Sequence, residues 1–218
     1  MSILSENQKE VLALIADDEV IAERFYLSGG TALAEYYLEH RLSEDLDFFA
    51  EQEFDPEAIS VFFKKIAKKA RIQSVEYEQS FNRNLFFLSI GGERIKTEFT
   101  YFPFLRIEQK KEIGKLSIDS LLDIAVNKLF TIFQKPRSRD FIDLYSILQK
   151  EKGWNIDDLA KRAQIKFDTF IDPIQLAGQF TKSETLKDYP TMLKPIAEKE
   201  WQSFFIQEAK RLAQTQME

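Results

Sequence analysis

Acidic and apolar residues alternate in the segment Asp45-Leu46-Asp47-Phe48-Phe49, and this pattern limits what the chain can fold into. Side chains on a β-strand point alternately to its two faces, so the pattern predicts a strand with Leu46 and Phe48 in a core. Asp45 and Asp47 would share the other face, with Cα atoms roughly 6.5 Å apart. Neighbouring carboxylates repel each other unless a cation lies between them. We therefore expect a divalent-cation site on a sheet with one buried face.

A Gly-Gly turn precedes this strand in the sequence. Residues 25–27 read as a short buried strand, Ser28-Gly29-Gly30 as a turn, and Thr31 as the N-cap of a helix that runs to about His40. Backbone N–H groups at a glycine turn and a helix N-terminus bind anions, and glycine lets the backbone approach a phosphate closely. We expect the turn to hold a triphosphate whose metal ions lie on the aspartate pair.

A β-hairpin supplies a third carboxylate. Residues 85–90 form one predicted strand, Gly91-Gly92 the turn, and residues 94–102 the return strand. Alternation along the return strand places Glu98 on a polar face, together with Lys96. If this strand neighbours the aspartate strand, Glu98 can act as a third ligand. Mg²⁺ is the expected ion, because it binds carboxylate oxygens and substrate phosphates together.

The character of the sequence changes near residue 115. Before it, helical patterns at residues 5–17 and from Asp55-Pro56 onward alternate with strands, and after it the pattern is almost wholly helical, over 119–134, 140–150, 156–164 and 199–213. This organisation predicts an α+β fold, in which a mixed sheet flanked by helices is followed by a helical C-terminal half. We expect a catalytic core over residues 1–115 and a helical region over 116–218 that completes the cleft.

Composition excludes several kinds of chemistry. The 218 residues include no cysteine and one histidine, His40, so disulfides, thiol nucleophiles and a His-rich zinc site are ruled out. The net charge of −6 gives no support for non-specific nucleic-acid binding, unless a local patch such as Lys135 to Arg139 supplies it. No signal peptide and no membrane-spanning run is recognisable, so we expect a cytoplasmic protein.

The ordered set of motifs resembles a known family. The pattern Leu27-Ser28-Gly29-Gly30-Thr31, followed by Arg41-x-Ser43-x-Asp45-x-Asp47, looks like the first motif of the nucleotidyltransferase superfamily, and is most similar to the AbiEii/AbiGii toxin family. Glu98 matches the third acidic position, which is often Asp in that family. Lys128 matches the helical lysine motif, and Arg139-Asp140-Phe141-Ile142-Asp143-Leu144 matches the RDxxDL motif. The resemblance covers most of the chain.

The resemblance implies an activity and partners. Such an enzyme moves a nucleoside monophosphate from an NTP to an acceptor, with Mg²⁺ or Mn²⁺ as cofactor, and releases pyrophosphate. Asp45, Asp47 and Glu98 would bind the metal, with Glu98 as third ligand or as general base. The resemblance also implies a toxin of a toxin–antitoxin or abortive-infection system, with a cognate antitoxin and a tRNA 3′ end or a protein as acceptor. The implied nucleotide-binding residues are Ser28, Gly29, Gly30, Thr31, Arg41, Ser43, Lys128, Arg139, Asp140 and Asp143.

Several of these residues have a second interpretation. Lys128 is either an exposed lysine beside an apolar helix face or a contact to the triphosphate or the leaving pyrophosphate. Asp140 and Asp143 share a helix face, and either favour the helix dipole or contact the nucleotide and orient Lys128. Arg41 either binds phosphate or pairs with an acidic neighbour. Ser43 also fits a cap or turn position.

Two other functions are compatible with the same motifs. Related folds adenylylate small molecules such as aminoglycosides, and an acidic cleft would favour these cationic acceptors. A chain that has lost catalysis would instead be a nucleotide-binding or protein-interaction module. The intact Asp45, Asp47 and Glu98 argue against this last alternative.

Overall fold

A computed structural model describes residues 2–215, and the side chains of residues 2–214. The described chain divides into two compact units. The first comprises the chain up to Tyr37, Ser43–Leu105 and Gln109–Ser120, and the second comprises Leu38–Leu42, Arg106–Glu108 and the chain from Leu121 onward. The second unit thus includes two short segments that interrupt the first along the sequence.

A seven-stranded mixed sheet organises the first unit, with strand order β3-β4-β5-β2-β1-β7-β6. Its strands are β1 (Tyr26–Ser28), β2 (Leu46–Ala50), β3 (Ile72–Ser80), β4 (Arg83–Ile90), β5 (Glu93–Tyr101), β6 (Lys111–Ile113) and β7 (Leu116–Ile118). Its helices are α1 (Glu6–Asp17), α2 (Glu19–Arg24), α3 (Gly29–Leu33) and α4 (Pro56–Ile66), and a π-helical segment, Ala34–Leu38, continues α3. The β2–β5 and β1–β7 pairs are parallel, and the other pairs are antiparallel.

One face of the central strands is buried under α4. Phe48 of β2 stacks on Phe99 of β5 with ring centroids 5.0 Å apart, and both side chains are fully buried. From α4, Phe63 approaches the rings of Phe86 and Phe99 at 5.3 and 6.1 Å. Burying each of these phenylalanines contributes about 1.5–3 kcal/mol to folding. This burial fixes the face of β2 that carries Phe48 towards the core. The alternate residues of β2 must therefore face the other side of the sheet.

Local sequence signals fix the ends of the longer helices. Ser5 and Gln8 form a reciprocal capping box at the start of α1. Asp55 accepts a hydrogen bond from the Glu57 N–H at the start of α4, where Pro56 occupies the first helical position. A cap of this kind contributes about 1 kcal/mol to helix stability, which explains why the sequence predicts these two helices closely.

The second unit is helical. Its helices are α5 (Leu121–Gln134), α6 (Ser138–Lys150), α7 (Ile156–Phe167), α8 (Pro173–Thr181) and α9 (Glu198–Thr215), with a short 3₁₀ turn at Lys182–Glu184. Aromatic rings form its centre: Phe205 of α9 lies 4.8 Å from Phe141 of α6 and 5.0 Å from Phe180 of α8. Trp201 is also buried and belongs to this aromatic core. Over residues 2–215, no helix is long and apolar enough to cross a membrane.

The α+β class, the aspartate strand and the glycine hairpin are confirmed, but some elements differ from the prediction. The helix after the turn begins at Gly29, so Thr31 is not its N-cap; Ser28 occupies that position and makes no side-chain cap hydrogen bond. The sequence analysis missed β3, because most of its residues are exposed and no apolar alternation marks it. It also missed the short elements α2, α8, β6 and β7.

Candidate active site

Three adjacent strands bring the acidic residues together. In the sheet, Asp47 of β2 pairs with Ser28 of β1 on one side and with Glu98 of β5 on the other. The condition for a third carboxylate at this site, that the return strand of the hairpin neighbours the aspartate strand, is therefore met. Asp45 lies directly before β2, two residues from Asp47. Asp45, Asp47 and Glu98 are called the carboxylate row below.

Gly29 lies against the carboxylate row. Its φ angle is +69°, in the left-handed region that favours glycine. A Cβ atom at this position would lie 2.5 Å from Oδ2 of Asp47, closer than real Cβ contacts allow. Glycine is therefore required here for two independent reasons, backbone conformation and space. The backbone of the turn and the Asp47 carboxylate consequently abut each other.

Two hydroxyl groups predicted to contact the nucleotide have partners inside the protein. Thr31 is fully buried, and its Oγ1 lies within hydrogen-bond distance of the Asp45 carbonyl oxygen and 2.8 Å from Ser43 Oγ. The Ser28 hydroxyl donates to Oδ2 of the buried Asp119 at 2.7 Å. These contacts fix the backbone on both sides of the carboxylate row, a supporting role that the sequence did not indicate.

Two basic side chains, Lys96 and Arg83, bind the carboxylate row. Lys96 Nζ lies 2.7 Å from Oδ2 of Asp45 and 3.8 Å from Oε2 of Glu98. Arg83 donates from Nε and Nη2 to the two oxygens of Glu98, and the Nε bond is 2.6 Å long. The alternation along β5 indicated Lys96. No signal indicated Arg83, because it begins β4 after an exposed stretch of β3.

The environment of Glu98 keeps it ionised. Burial alone would raise the pKa of its carboxyl group, but hydrogen bonds and charge from Arg83, with smaller contributions from Thr100 and Lys96, lower the pKa below its usual value. A carboxylate with a lowered pKa is a weak proton acceptor at neutral pH. Of the two roles expected for Glu98, general base is therefore the less compatible with its surroundings.

The donor set at the carboxylate row suits a hard divalent cation. Over the described range there is no group of three or more His, Cys, Asp or Glu side chains with metal-binding geometry. Asp45 and Asp47 nevertheless supply the oxygen donors that Mg²⁺ prefers, and they lie beside a glycine backbone that substrate oxygens can approach. Mg²⁺ often takes only one or two protein carboxylates and completes its shell with water and phosphate. The two aspartates fit this pattern if the ion pair between Lys96 and Asp45 breaks when the ion binds.

The second unit contains a buried ionic network around Lys128. Its Nζ lies 2.8 Å from Oδ1 of Asp140 and 2.7 Å from Oδ2 of Asp143. Arg41 donates to both oxygens of Asp143, with bonds of 2.6 and 2.7 Å, and His40 Nε2 lies 2.8 Å from the same carboxylate. These five residues, which are all buried, are called the lysine network below.

The carboxylates of the lysine network are held ionised. Burial would raise the pKa of Asp143, but the charges of Lys128 and Arg41 and the hydrogen bonds from Arg41 and His40 lower it well below the usual range. The pKa of Asp140 is lowered for the same kind of reason, by Lys128 and Arg137 against the effect of burial. Lys128 is therefore a buried, paired lysine rather than an exposed one.

The predicted site residues form two clusters, one within each unit. Arg41 pairs with an acidic neighbour, the second of its two expected roles, and Asp140 lies in the first turn of α6, where its charge favours the helix dipole. Arg139 is half-buried on α6. The structure brings Asp45, Asp47 and Glu98 together with Gly29, and it brings Lys128, Asp140 and Asp143 together with Arg41.

Comparisons with known proteins identify the fold and the family. A crystal structure of JHP933 from Helicobacter pylori is 21% identical, covers 97% of this chain and 94% of its own, and has a TM-score of 0.59. A second structure from H. pylori, described as a candidate nucleotidyltransferase, is 21% identical, covers 97% of both chains and has a TM-score of 0.60. These likenesses establish the fold.

Sequence comparison identifies the family. An uncharacterised protein of Aquifex aeolicus (strain VF5) is 32% identical over 169 residues, which is 77% of each chain. The family model described as the nucleotidyl transferase AbiEii toxin of type IV toxin–antitoxin systems matches residues 11–214. The chain therefore belongs to the AbiEii family of nucleotidyltransferases.

Proposed function

We propose that the chain catalyses Mg²⁺-dependent transfer of a nucleoside monophosphate from an NTP to an acceptor, with the carboxylate row as its catalytic centre. The observation that carries this proposal is the register of three strands, which sets Ser28, Asp47 and Glu98 side by side. Gly29 adjoins Asp47 at the same point. Membership of a nucleotidyltransferase family supports the reaction class.

Each residue of the carboxylate row has a proposed role. Asp45 and Asp47 hold the metal ion, for which Mn²⁺ can substitute, and the Gly29-Gly30 backbone receives the triphosphate. An ion held there would neutralise charge on the phosphate oxygens. Thr31 and Ser43 keep Asp45 in place, since Thr31 binds both Ser43 Oγ and the Asp45 carbonyl oxygen. Glu98, whose lowered pKa disfavours the role of base, completes the acidic row.

The lysine network is proposed to supply the further nucleotide-binding function expected of Lys128, Asp140 and Asp143, and the half-buried Arg139 on α6 is proposed to contribute to the same function. Two carboxylates fix the Lys128 ammonium at 2.7 and 2.8 Å, so the charge is held in one position. Arg41 is proposed to act through Asp143, to which it donates two hydrogen bonds.

We also propose that the protein is the toxin component of a toxin–antitoxin system with a cognate antitoxin. The description of the family supports this role. The proposed acceptor is a tRNA 3′ end or a protein. A cationic small molecule of the aminoglycoside type is the second candidate, and the net charge of −6 on the chain favours it.

Label transfer tests the reaction and the acceptor together. The protein would be incubated with Mg²⁺, each α-³²P-labelled NTP in turn and total tRNA, beside an Asp45→Asn/Asp47→Asn variant as the control. We expect label on RNA with one nucleotide, and none with the variant. Label on the protein or on an added aminoglycoside would identify one of the other acceptors. If wild-type protein binds Mg²⁺-NTP but labels none of these acceptors, the proposed transfer is wrong.

A further inference from the structure

Arg83 is a basic residue at the carboxylate row that neither the sequence motifs nor the proposed function uses. Its Nε and Nη2 are bound to Glu98, which is 6% exposed, whereas the Arg83 side chain is 49% exposed. Over residues 2–215, its third nitrogen, Nη1, has no hydrogen-bond partner. The guanidinium is thus held on one edge and open on the other.

The location of Arg83 relates it to the metal-binding aspartates. Arg83 pairs with Thr100 across the β4–β5 ladder, and Glu98 lies two residues before Thr100 on the same face. Glu98 in turn pairs with Asp47 in the parallel β5–β2 ladder. Hydrogen bonding to Glu98 and its charge raise the pKa of the Arg83 guanidinium against the effect of burial, and the charges of Asp47 and Asp45 make smaller contributions in the same direction. Arg83 therefore lies at the end of the carboxylate row, within electrostatic range of both aspartates.

The local charge balance favours an anion at this place. Lys96 and Arg83 place two positive charges directly beside the carboxylate row. A divalent cation bound by Asp45 and Asp47 would add two more positive charges at the same place, which favours binding of a phosphate. A guanidinium whose orientation is already fixed loses little conformational entropy on binding a phosphate oxygen.

We propose that Arg83 binds a phosphate group of the nucleoside triphosphate, and that Glu98 is the positioning residue that holds its guanidinium in place. This proposal rests on the proposed function, because it concerns the same nucleotide. It gives Glu98 a role that agrees with its two hydrogen bonds from Arg83 better than proton transfer does. The contact is to the β- or γ-phosphate, so nucleoside monophosphates lack it.

Calorimetric binding of Mg²⁺ complexes of the four NTPs and the four NMPs, with no acceptor added, tests the proposal. The variants are Arg83→Gln, Arg83→Lys and Glu98→Gln. The matched control is Arg94→Gln, because Arg94 is an exposed arginine of β5 that pairs with Glu76 and stacks on Phe87. Thermal unfolding of each variant monitors the fold.

We expect Arg83→Gln to weaken binding of the preferred NTP about tenfold or more and that of its NMP less than twofold, as a lost charge-assisted hydrogen bond predicts. Arg83→Lys keeps the positive charge but lacks the paired N–H donors of the guanidinium, so it should recover part of the lost NTP affinity. Glu98→Gln should lower the ratio of NTP to NMP affinity without an equal loss of stability, which a purely structural role would not do.

The two proposals fail in different ways. If wild-type protein binds NTP and Arg83→Gln binds it equally well, the assignment of Arg83 is wrong while the proposed function stands. If wild-type protein binds no Mg²⁺-nucleotide, both the proposed function and the assignment of Arg83 are wrong.

Discussion

Gly29 is a single residue on which the geometry of the carboxylate row depends. Replacing it by alanine would place a Cβ atom 2.5 Å from Asp47 Oδ2 and would force a φ angle of +69° on a residue with a side chain. We expect Gly29→Ala to destabilise the protein by about 1–3 kcal/mol and to displace the Asp47 carboxylate. Mn²⁺ affinity, measured by electron paramagnetic resonance, should fall together with activity.

The control for this variant is Gly114→Ala. Gly114 has a similar φ angle of +61°, but a Cβ atom there would meet nothing within 4 Å. The control therefore carries the backbone strain without the clash, and it should lose stability but keep wild-type Mn²⁺ affinity. Equal Mn²⁺ affinity in Gly29→Ala would show that Asp47 does not need its present position to bind metal.

Lys96 is a second residue with a specific effect on metal binding. Its ammonium group lies 2.7 Å from Asp45 and 3.8 Å from Glu98, so it neutralises the carboxylates that a divalent cation would bind. We expect Lys96→Met to tighten Mn²⁺ binding about threefold or more in the absence of nucleotide, because a competing positive charge is removed. Titration of Mn²⁺ followed by electron paramagnetic resonance measures this directly.

Lys115→Met serves as the control, because Lys115 pairs with Asp17 at an exposed site away from the carboxylate row. Unchanged or weaker Mn²⁺ binding in Lys96→Met would contradict the competition. Loss of the tightened binding on adding Asp45→Asn to Lys96→Met would show that the ion uses Asp45.

At the scale of single elements, the sequence predicts those strands that have one buried and one exposed face. The sequence predicts a strand over residues 46–49, one residue shorter than β2, and it predicts the β4–β5 hairpin, because one face of each is buried and alternation of apolar and polar residues makes that visible. The sequence does not predict strand β3, because most of its residues are exposed and show no alternation of apolar and polar side chains. The pairing of β2 with β5 was stated only as a condition, because nothing local in a sequence specifies which distant strands pair in parallel.

The candidate site shows the same division. Asp45 and Asp47 are predicted because two carboxylates on one strand face are costly without a cation, and Glu98 because alternation places it on the polar face of the hairpin's return strand. The Glu98 ion pair with Arg83 and the buried contacts of Thr31 were missed, since both depend on tertiary contacts that residue spacing does not encode. Lys128 was located by its motif, but its burial between Asp140 and Asp143 became visible only in the packed helices.

Helix α6 carries the carboxylate that joins Lys128 and Arg41. Replacing Asp143 by asparagine leaves these two buried cations with fewer charge partners, so we expect a loss of about 3 kcal/mol or more in the free energy of unfolding. Denaturant unfolding measures the loss. If the lysine network serves the nucleotide, NTP affinity should also fall in the folded variant.

Asp123→Asn is the matched control for this variant, because Asp123 forms an equally buried pair with Lys166 and lies outside the predicted site. It should lose comparable stability while keeping wild-type NTP affinity. Equal NTP affinities in the two variants would mean that the lysine network is purely structural.

The stability difference between wild type and Asp143→Asn should depend on pH, because the pKa of Asp143 is lowered in the folded state. A lowered folded-state pKa means that the folded protein binds fewer protons than the unfolded chain, so the stabilisation is present above the unfolded pKa of about 3.9 and is lost as the pH falls below it. The stability advantage of wild type over Asp143→Asn should therefore be constant above about pH 5 and shrink in more acidic solution. A constant difference down to pH 3 would contradict this linkage.

At the scale of the whole molecule, the net charge of −6 opposes the approach of a polyanion. Non-specific nucleic-acid binding comes almost wholly from cations that neutralise phosphates, and typical dissociation constants lie at about 1–100 µM. We expect tRNA, in the absence of nucleotide, to bind this protein with a Kd above about 10 µM at roughly 150 mM salt. Filter binding of labelled total tRNA measures it.

The salt dependence of tRNA binding shows whether local cations overcome the net negative charge of the protein. Each phosphate neutralised contributes a slope of about 0.7–0.9 to the fall of log affinity with log salt concentration. A slope near 2 or more would mean that local cations overcome the net charge, and the exposed Lys135 with the half-buried Arg139 is the candidate patch. Lys135→Glu/Arg139→Glu should then abolish binding. Tight, salt-sensitive binding that survives this double variant would contradict the expectation, because neither the net charge nor this patch could account for it.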